Sequence, residues 1–193
     1  MVKQPRSAQT RQAVVRAAAE AFADHGYAGA SLPVISSRAG VSAGALYFHF
    51  TSKDELAKEV EEAAVARVAA LADRCRATGR SPLRLLATTM CRLVPAAASD
   101  PVVRAGFQLG RDASRKNGAR LGEWWHTWVR ELITEAHREG ELAPDIRPEV
   151  ATAAVVAATA GFMELATRHV DWADPRRLEE FWSFLLPRIA ATP

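Results

Sequence analysis

The chain has 193 residues, 49% of them apolar and 24% charged, with a formal charge of +3. That composition excludes a disordered or collagen-like chain and allows one good core, or a small module joined to a larger body. The charge is uneven, because residues 1–53 hold six basic side chains (Lys3, Arg6, Arg11, Arg16, Arg38, Lys53) against two acidic ones, Glu20 and Asp24. Such a balance attracts a polyanion, although a basic surface that is merely solvated reads the same way.

Cys75 and Cys91 stand apart without CxxC spacing, so neither a disulfide framework nor a zinc site is signalled, and a reducing compartment fits. The N-terminus is polar and basic with no apolar signal core, which gives the expectation of a cytoplasmic location. The most apolar stretch, 150–163, falls short of the ~20 residues that a bilayer span needs, so no membrane segment is expected.

In chain order, Val14, Ala17, Ala18, Ala21 and Phe22 recur at i, i+3, i+4, i+7 and i+8, the signature of one helix face, and Gly26 supplies a stop. Ser31 caps a second helix, with Pro33 in its first turn and an end at Gly40, and Ser42 caps a third almost at once. Two short helices joined by a glycine turn cannot each bury a face alone. They must pack on each other and on the first helix, with Val41 and Leu46 turned inward beneath Ile35 and Phe22, which predicts a helix-turn-helix. Thr51 or Ser52 then caps a long connecting helix whose first turn carries Asp54 and Glu55. Turn-forming residues at 79–82, 95–101, 117–118, 140–148 and 171–175 divide the rest into about five helices. Alternating β-branched runs are nearly absent, so the chain reads as all-α.

A helix that enters a major groove ~12 Å wide needs small residues at its leading end, a role that suits Ala43 and Gly44. Tyr47 and His49, further along, can donate to phosphate oxygens, and Lys53 adds a charge at the start of the next helix. Tyr47, Phe48 and Phe50 can instead be core residues, and for Phe50 the core is the better assignment.

The run GVSAGALYFHFTSKDEL, residues 40–56, resembles the signature of the TetR-type transcriptional repressors, with Gly40, Gly44, Leu46, Tyr47, His49, Phe50, Lys53 and Leu56 at characteristic places. The match covers roughly residues 8–58. The variant GALYFHF, with QTR at 9–11, is more similar to the γ-butyrolactone receptors of actinomycetes than to the family at large. The resemblance implies about nine or ten helices, a DNA-binding domain at 1–52 and a ligand-binding and dimerisation domain at 53–193. It further implies a homodimer on double-stranded operator DNA, released by a small organic effector and needing no cofactor. The DNA-binding set it suggests is Arg11, Ser31, Ser42, Ala43, Gly44, Tyr47, Phe48, His49 and Lys53. One departure is Ala43, where receptors of this subgroup often carry a lysine.

The helix predicted for RLGEWWHTWVRELITEA places Leu121, Trp124, Trp125, Trp128, Leu132 and Ala136 on one broad face. A core helix explains the pattern, but an apolar cavity with an indole N–H is also a usual lining for a small organic ligand. Trp124 resembles the tryptophan that the butyrolactone receptors keep on this helix. Trp128, Phe107, Gln108, Thr159 and Phe162 are the further ligand-binding candidates. Two last helices, 148–170 and 175–189, resemble the family's dimerisation pair, and the first is apolar nearly all round, with Ala153, Ala157 and Ala160 permitting close approach. No GxSxG, HExxH, phosphate loop or dinucleotide fingerprint occurs, so an enzyme is disfavoured. A regulator of an efflux or catabolic gene with a different apolar ligand, and a ligand-independent DNA binder, remain open alternatives at this level.

Overall fold

The computed structural model describes residues 6–115 and 120–191. Among these residues the backbone forms nine α-helices and one 3-10 turn, and the β pairing is confined to an isolated bridge between Leu142 and Ala190. The all-α expectation therefore holds, with five helices beyond the connecting one. The chain gathers into two compact units, residues 1–66 with 100–122 and residues 67–99 with 123–193.

In the first unit, α1 (Arg6–Gly29) buries Val14, Ala17, Ala18, Ala21 and Phe22, the face that the periodicity predicts. It is broken at Gly26, whose φ of 69° and ψ of 174° only glycine adopts without strain. Then follow α2 (Leu32–Arg38) and α3 (Ala43–His49), joined through Gly40 at φ 68°. The Val41 N–H donates to the Ser36 carbonyl at 3.1 Å, which closes this turn. Phe22, Ile35, Leu46 and Phe50 are all fully buried, so the three helices share one small core, while Val41 is only half-buried. Ser42 caps α3 by accepting from the Ala45 N–H at 3.1 Å, whereas Ser31 starts α2 with no side-chain cap bond. At the start of α4 (Lys53–Arg76), Ser52 accepts from the Glu55 N–H and Glu55 accepts in return from Thr51, a reciprocal cap that satisfies two otherwise orphaned donors.

The helix α6 (Pro101–Leu109) lies along α1. Its Gly106 has no room for a side chain, since a Cβ there would overlap Ala64 and meet Leu121 at 3.0 Å. After α6 the chain turns inward at Arg115, a side chain only 1% exposed. Arg115 Nη2 lies 2.9 Å from Glu61 and 3.5 Å from Asp54, and Nη1 donates to the Leu109 carbonyl at 3.3 Å. The predicted break at 117–118 lies outside the described residues.

In the second unit, α5 (Pro82–Ser99), α8 (Pro148–Arg168) and α9 (Pro175–Ile189) pack together with the 3-10 turn Val170–Ala173. The unit also holds most of α7 (Arg120–Arg138). The sequence reading places a break from Pro95 to Pro101, but α5 runs through Pro95 and ends only at Ser99. Proline there removes one ladder hydrogen bond, and burial of Leu93, Val94 and Ala97 on either side outweighs that loss. The loop after α7 is pinned to the start of α5 and to the end of α9. The Ala143 N–H donates to the Ile189 carbonyl at 2.8 Å, and a Glu141 carboxylate oxygen accepts from the Leu83 N–H at 3.2 Å, capping α5.

Residues 150–163 belong to a longer helix than their apolar run predicts, for α8 has 21 residues with an 18-residue window long and apolar enough by composition to cross a membrane. Only 33% of that window is buried. Val150, Ala153, Ala154, Ala157 and Gly161 lie exposed along it.

Candidate DNA interface and effector site

The surface of α3 is built by contrast. Leu46 and the following Phe50 anchor it, and Ser42, Ala43, Gly44, Tyr47 and Phe48 all face solvent. Tyr47 is 55% exposed and Phe48 82% exposed, so both leave the core that was one option for them, while Phe50 joins it. The His49 ring is half-buried and meets Phe48 edge-on at 5.2 Å. Ser31 and Val34 of the α2 end are exposed on the same small module.

The basic members of the predicted set point elsewhere. Arg11 pairs with Glu59 at 2.5 Å and lies over the Phe50 ring at 5.3 Å, which turns its charge toward α4. Lys53 donates to the carbonyls of Tyr27 at 2.9 Å and Ala30 at 3.1 Å, with its ammonium 4.4 Å from the Tyr27 ring centre. Two of its three donors thus tie down the α1–α2 connection rather than facing outward, a placement that spacing along the chain does not reveal. The Tyr27 ring also lies 5.3 Å from the Arg115 guanidinium, and burial, with Asp54 nearby, pushes its phenol above the usual range. Asp54 is held below the ordinary carboxylate value by its hydrogen bond to Lys58, with Arg115 adding in the same direction.

The effector candidates fall in both units, and each unit has its own geometry. In the second, Trp124 and Trp128 stack at 6.2 Å with 15° between planes, and Trp125 stacks on Trp128 at 5.2 Å. Trp124 and Trp128 are half-buried, whereas Trp125 is in the core. The Nε1 of Trp125 and of Trp182 and the hydroxyl of Thr152 are buried without a hydrogen-bond partner among the described residues. Thr159 already donates to the Val155 carbonyl at 2.8 Å. Phe162 packs edge-on against Trp172 at 5.6 Å and Phe181 at 5.3 Å, which gives it a structural role in the core. A groove on the outer face of α7 is lined by Arg130, Glu131, Thr134, Glu135 and Arg138, a charged wall unsuited to an apolar ligand. Phe107 and Gln108 belong to the first unit, both half-buried, and the Gln108 amide lies 3.3 Å from the carbonyls of Phe22 and Ala23, at the end of α1 before Gly26. Sequence reasoning missed Arg115 and Glu61, for which a separation of 54 positions leaves no local signal.

Residues 14–60 match the model of the bacterial regulatory proteins, tetR family. Over 98% of its length the chain is 33% identical to the A-factor receptor protein of Streptomyces griseus, of which it covers 67%. The chain belongs to the TetR family of bacterial regulatory proteins. Among solved structures, a γ-butyrolactone receptor (ArpA-like protein) superposes with a TM-score of 0.81 at 28% identity, over 96% of this chain and 90% of the other. The TetR-family protein CprB of Streptomyces coelicolor, in complex with its operator sequence, superposes with a TM-score of 0.78 at 28% identity, over 96% of this chain and 90% of CprB. The resemblance first read from GALYFHF thus extends over nearly the whole of this TetR-family chain, and its relatives are transcriptional regulators.

Proposed function

We propose that the chain is a ligand-responsive transcriptional repressor that binds a pseudo-palindromic operator as a homodimer. Its effector would be a small, largely apolar signalling molecule such as a γ-butyrolactone, furan or butenolide, and its targets antibiotic or secondary-metabolite genes. The observation that carries the reading is the surface of α3, where small residues and Tyr47 stand free on a helix anchored from behind by Leu46 and Phe50. Ala43 and Gly44 allow close approach to base edges, and the Tyr47 hydroxyl donates to a phosphate. The exposed apolar face of α8, with Phe184 of α9 at 58% exposure, supports a twofold interface. That symmetry sets the two recognition helices about 34–36 Å apart, one turn of DNA. Trp124 and Trp128 supply the aromatic wall of the effector site, with Trp125 behind them.

An effector acts only through its different affinities for the DNA-binding and released states, so tight binding alone frees nothing. α4, which belongs in part to each unit and begins just after the recognition helix, is the route we assign to that preference. The test is fluorescence anisotropy of a labelled duplex from upstream of the protein's own gene, titrated with and without a γ-butyrolactone. Saturable binding that the lactone reverses, with reversal but not binding lost in Trp124→Ala, is the expected result. Equal loss of both in Trp124→Ala refutes the effector-site assignment, and no binding to that or a neighbouring promoter refutes the repressor.

A further inference from the structure

Phe48 is the most exposed large apolar side chain among those described, at 82%. It contributes nothing to the core, which α3 reaches through Leu46, and its ring is held edge-on by His49 at 5.2 Å. Phe48 follows Gly44 by four residues, so the two stand one turn apart on the same face of α3. That turn is open, for even a Cβ on Gly44 would meet only Ser42 Oγ at 4.0 Å. The result is an exposed apolar ring on the same face of α3 as Gly44, one turn from the end with the smallest side chains. Residues 1–53, with six basic side chains against two acidic, fit a polyanion as the occupant of this face.

In a major groove nearly every group on a base edge is a hydrogen-bond donor or acceptor, and the one alkyl group is the 5-methyl of thymine. An exposed phenyl ring with no polar atom can discriminate on that group alone. We propose that Phe48 is a specificity-determining residue that reads a thymine 5-methyl in each half-site. This rests on the DNA-binding reading above and adds to it a chemical prediction about the operator.

The test starts from duplexes selected by the full-length protein out of a random-sequence pool. Each thymine of the selected sequence is then replaced by deoxyuridine, which removes the methyl and changes nothing else. One thymine per half-site should lose about fourfold in affinity on replacement, the worth of one buried methyl, and replacing both should cost roughly fifteenfold. Phe48→Ala should bind the thymine and uracil duplexes equally, and Phe48→Leu should keep part of the difference. The variant keeps its fold on this account because the ring is outside the core, and a circular dichroism melt checks that. Indifference to every thymine methyl, or a penalty that survives in Phe48→Ala, overturns the proposal. So does a uniform weakening by Phe48→Ala without methyl dependence, which would put the ring against the sugar-phosphate backbone. A pool that enriches no sequence overturns the DNA-binding reading as well, whereas an enriched sequence without methyl dependence overturns only the role of Phe48.

Discussion

Replacing Arg115 by methionine leaves Glu61, fully buried, without the guanidinium 2.9 Å away, and leaves Asp54 without a positive charge at 3.5 Å. Removing one partner of a buried ion pair costs about 3–5 kcal/mol, because the remaining charge is left in a medium that solvates it poorly. For a chain of this size each kcal/mol lowers Tm by roughly 2–4 °C, so Arg115→Met should lower it by about 6–20 °C. The pair is not optimal even when intact, since Arg115 Nε is buried without a partner among the described residues. An apolar replacement of both residues, Arg115→Met with Glu61→Leu, should therefore recover most of the loss. The assay is thermal unfolding by circular dichroism at fixed protein concentration, which matters for a chain read as a dimer. A shift below 2 °C for Arg115→Met, or a double variant no better than the single one, refutes the argument.

Gly106→Val forces α6 away from Ala64 and Leu121, and the overpacking should cost about 1–3 kcal/mol in a denaturant titration. The Cys91 thiol is pushed up to about 11 by burial, with Glu179 adding to the rise. A raised thiol favours the neutral form in the fold, so its stabilising contribution is complete below 9.0, the ordinary value, and is lost as pH climbs toward 11. Alkylation of Cys91 at pH 8 should accordingly be much slower in the native protein than in urea. Ala157→Glu puts a carboxylate on the exposed apolar face of α8, and sedimentation at micromolar concentration should show a dimer for the parent, as proposed above, and a monomer for the variant.

What was legible in the sequence is what depends on near neighbours along the chain. The face formed by Val14, Ala17, Ala18, Ala21 and Phe22, the turn at Gly40 and the cap at Ser42 are local consequences of periodicity and backbone chemistry, and they stand as read, while of the two caps open for α4 the structure takes Ser52. The break read at 95–101 occurs at Asp100 rather than at Pro95, because at Pro95 a propensity was set against tertiary burial, and burial won. For Phe48 the sequence offered both the core and the DNA-binding surface, and the structure places it on the surface at 82% exposure. Arg115, Glu61 and the acceptors of Lys53 were beyond reach, as each joins residues far apart in sequence whose meeting depends on how α1, α4 and α6 pack.

Lys53 sets the two ways of reasoning against each other. By sequence position its charge belongs on a phosphate, and Lys53→Met would then flatten the salt dependence of operator binding by about 0.9 per contact, or about 1.8 per dimer. By structure its ammonium already serves the Tyr27 and Ala30 carbonyls and faces the Tyr27 ring. Swinging it outward would cost two charge-assisted hydrogen bonds, each worth about 1.5–3 kcal/mol, and loosen the connection that fixes α2 against α1. The expected result for Lys53→Met is therefore lower thermal stability, weaker binding at every salt concentration, and an unchanged slope of log affinity against log salt. Parallel lines with a vertical offset would identify a tie that positions the recognition helix. Converging lines, with stability unaltered, would return Lys53 to the phosphate backbone and show that the carbonyl contacts yield to DNA.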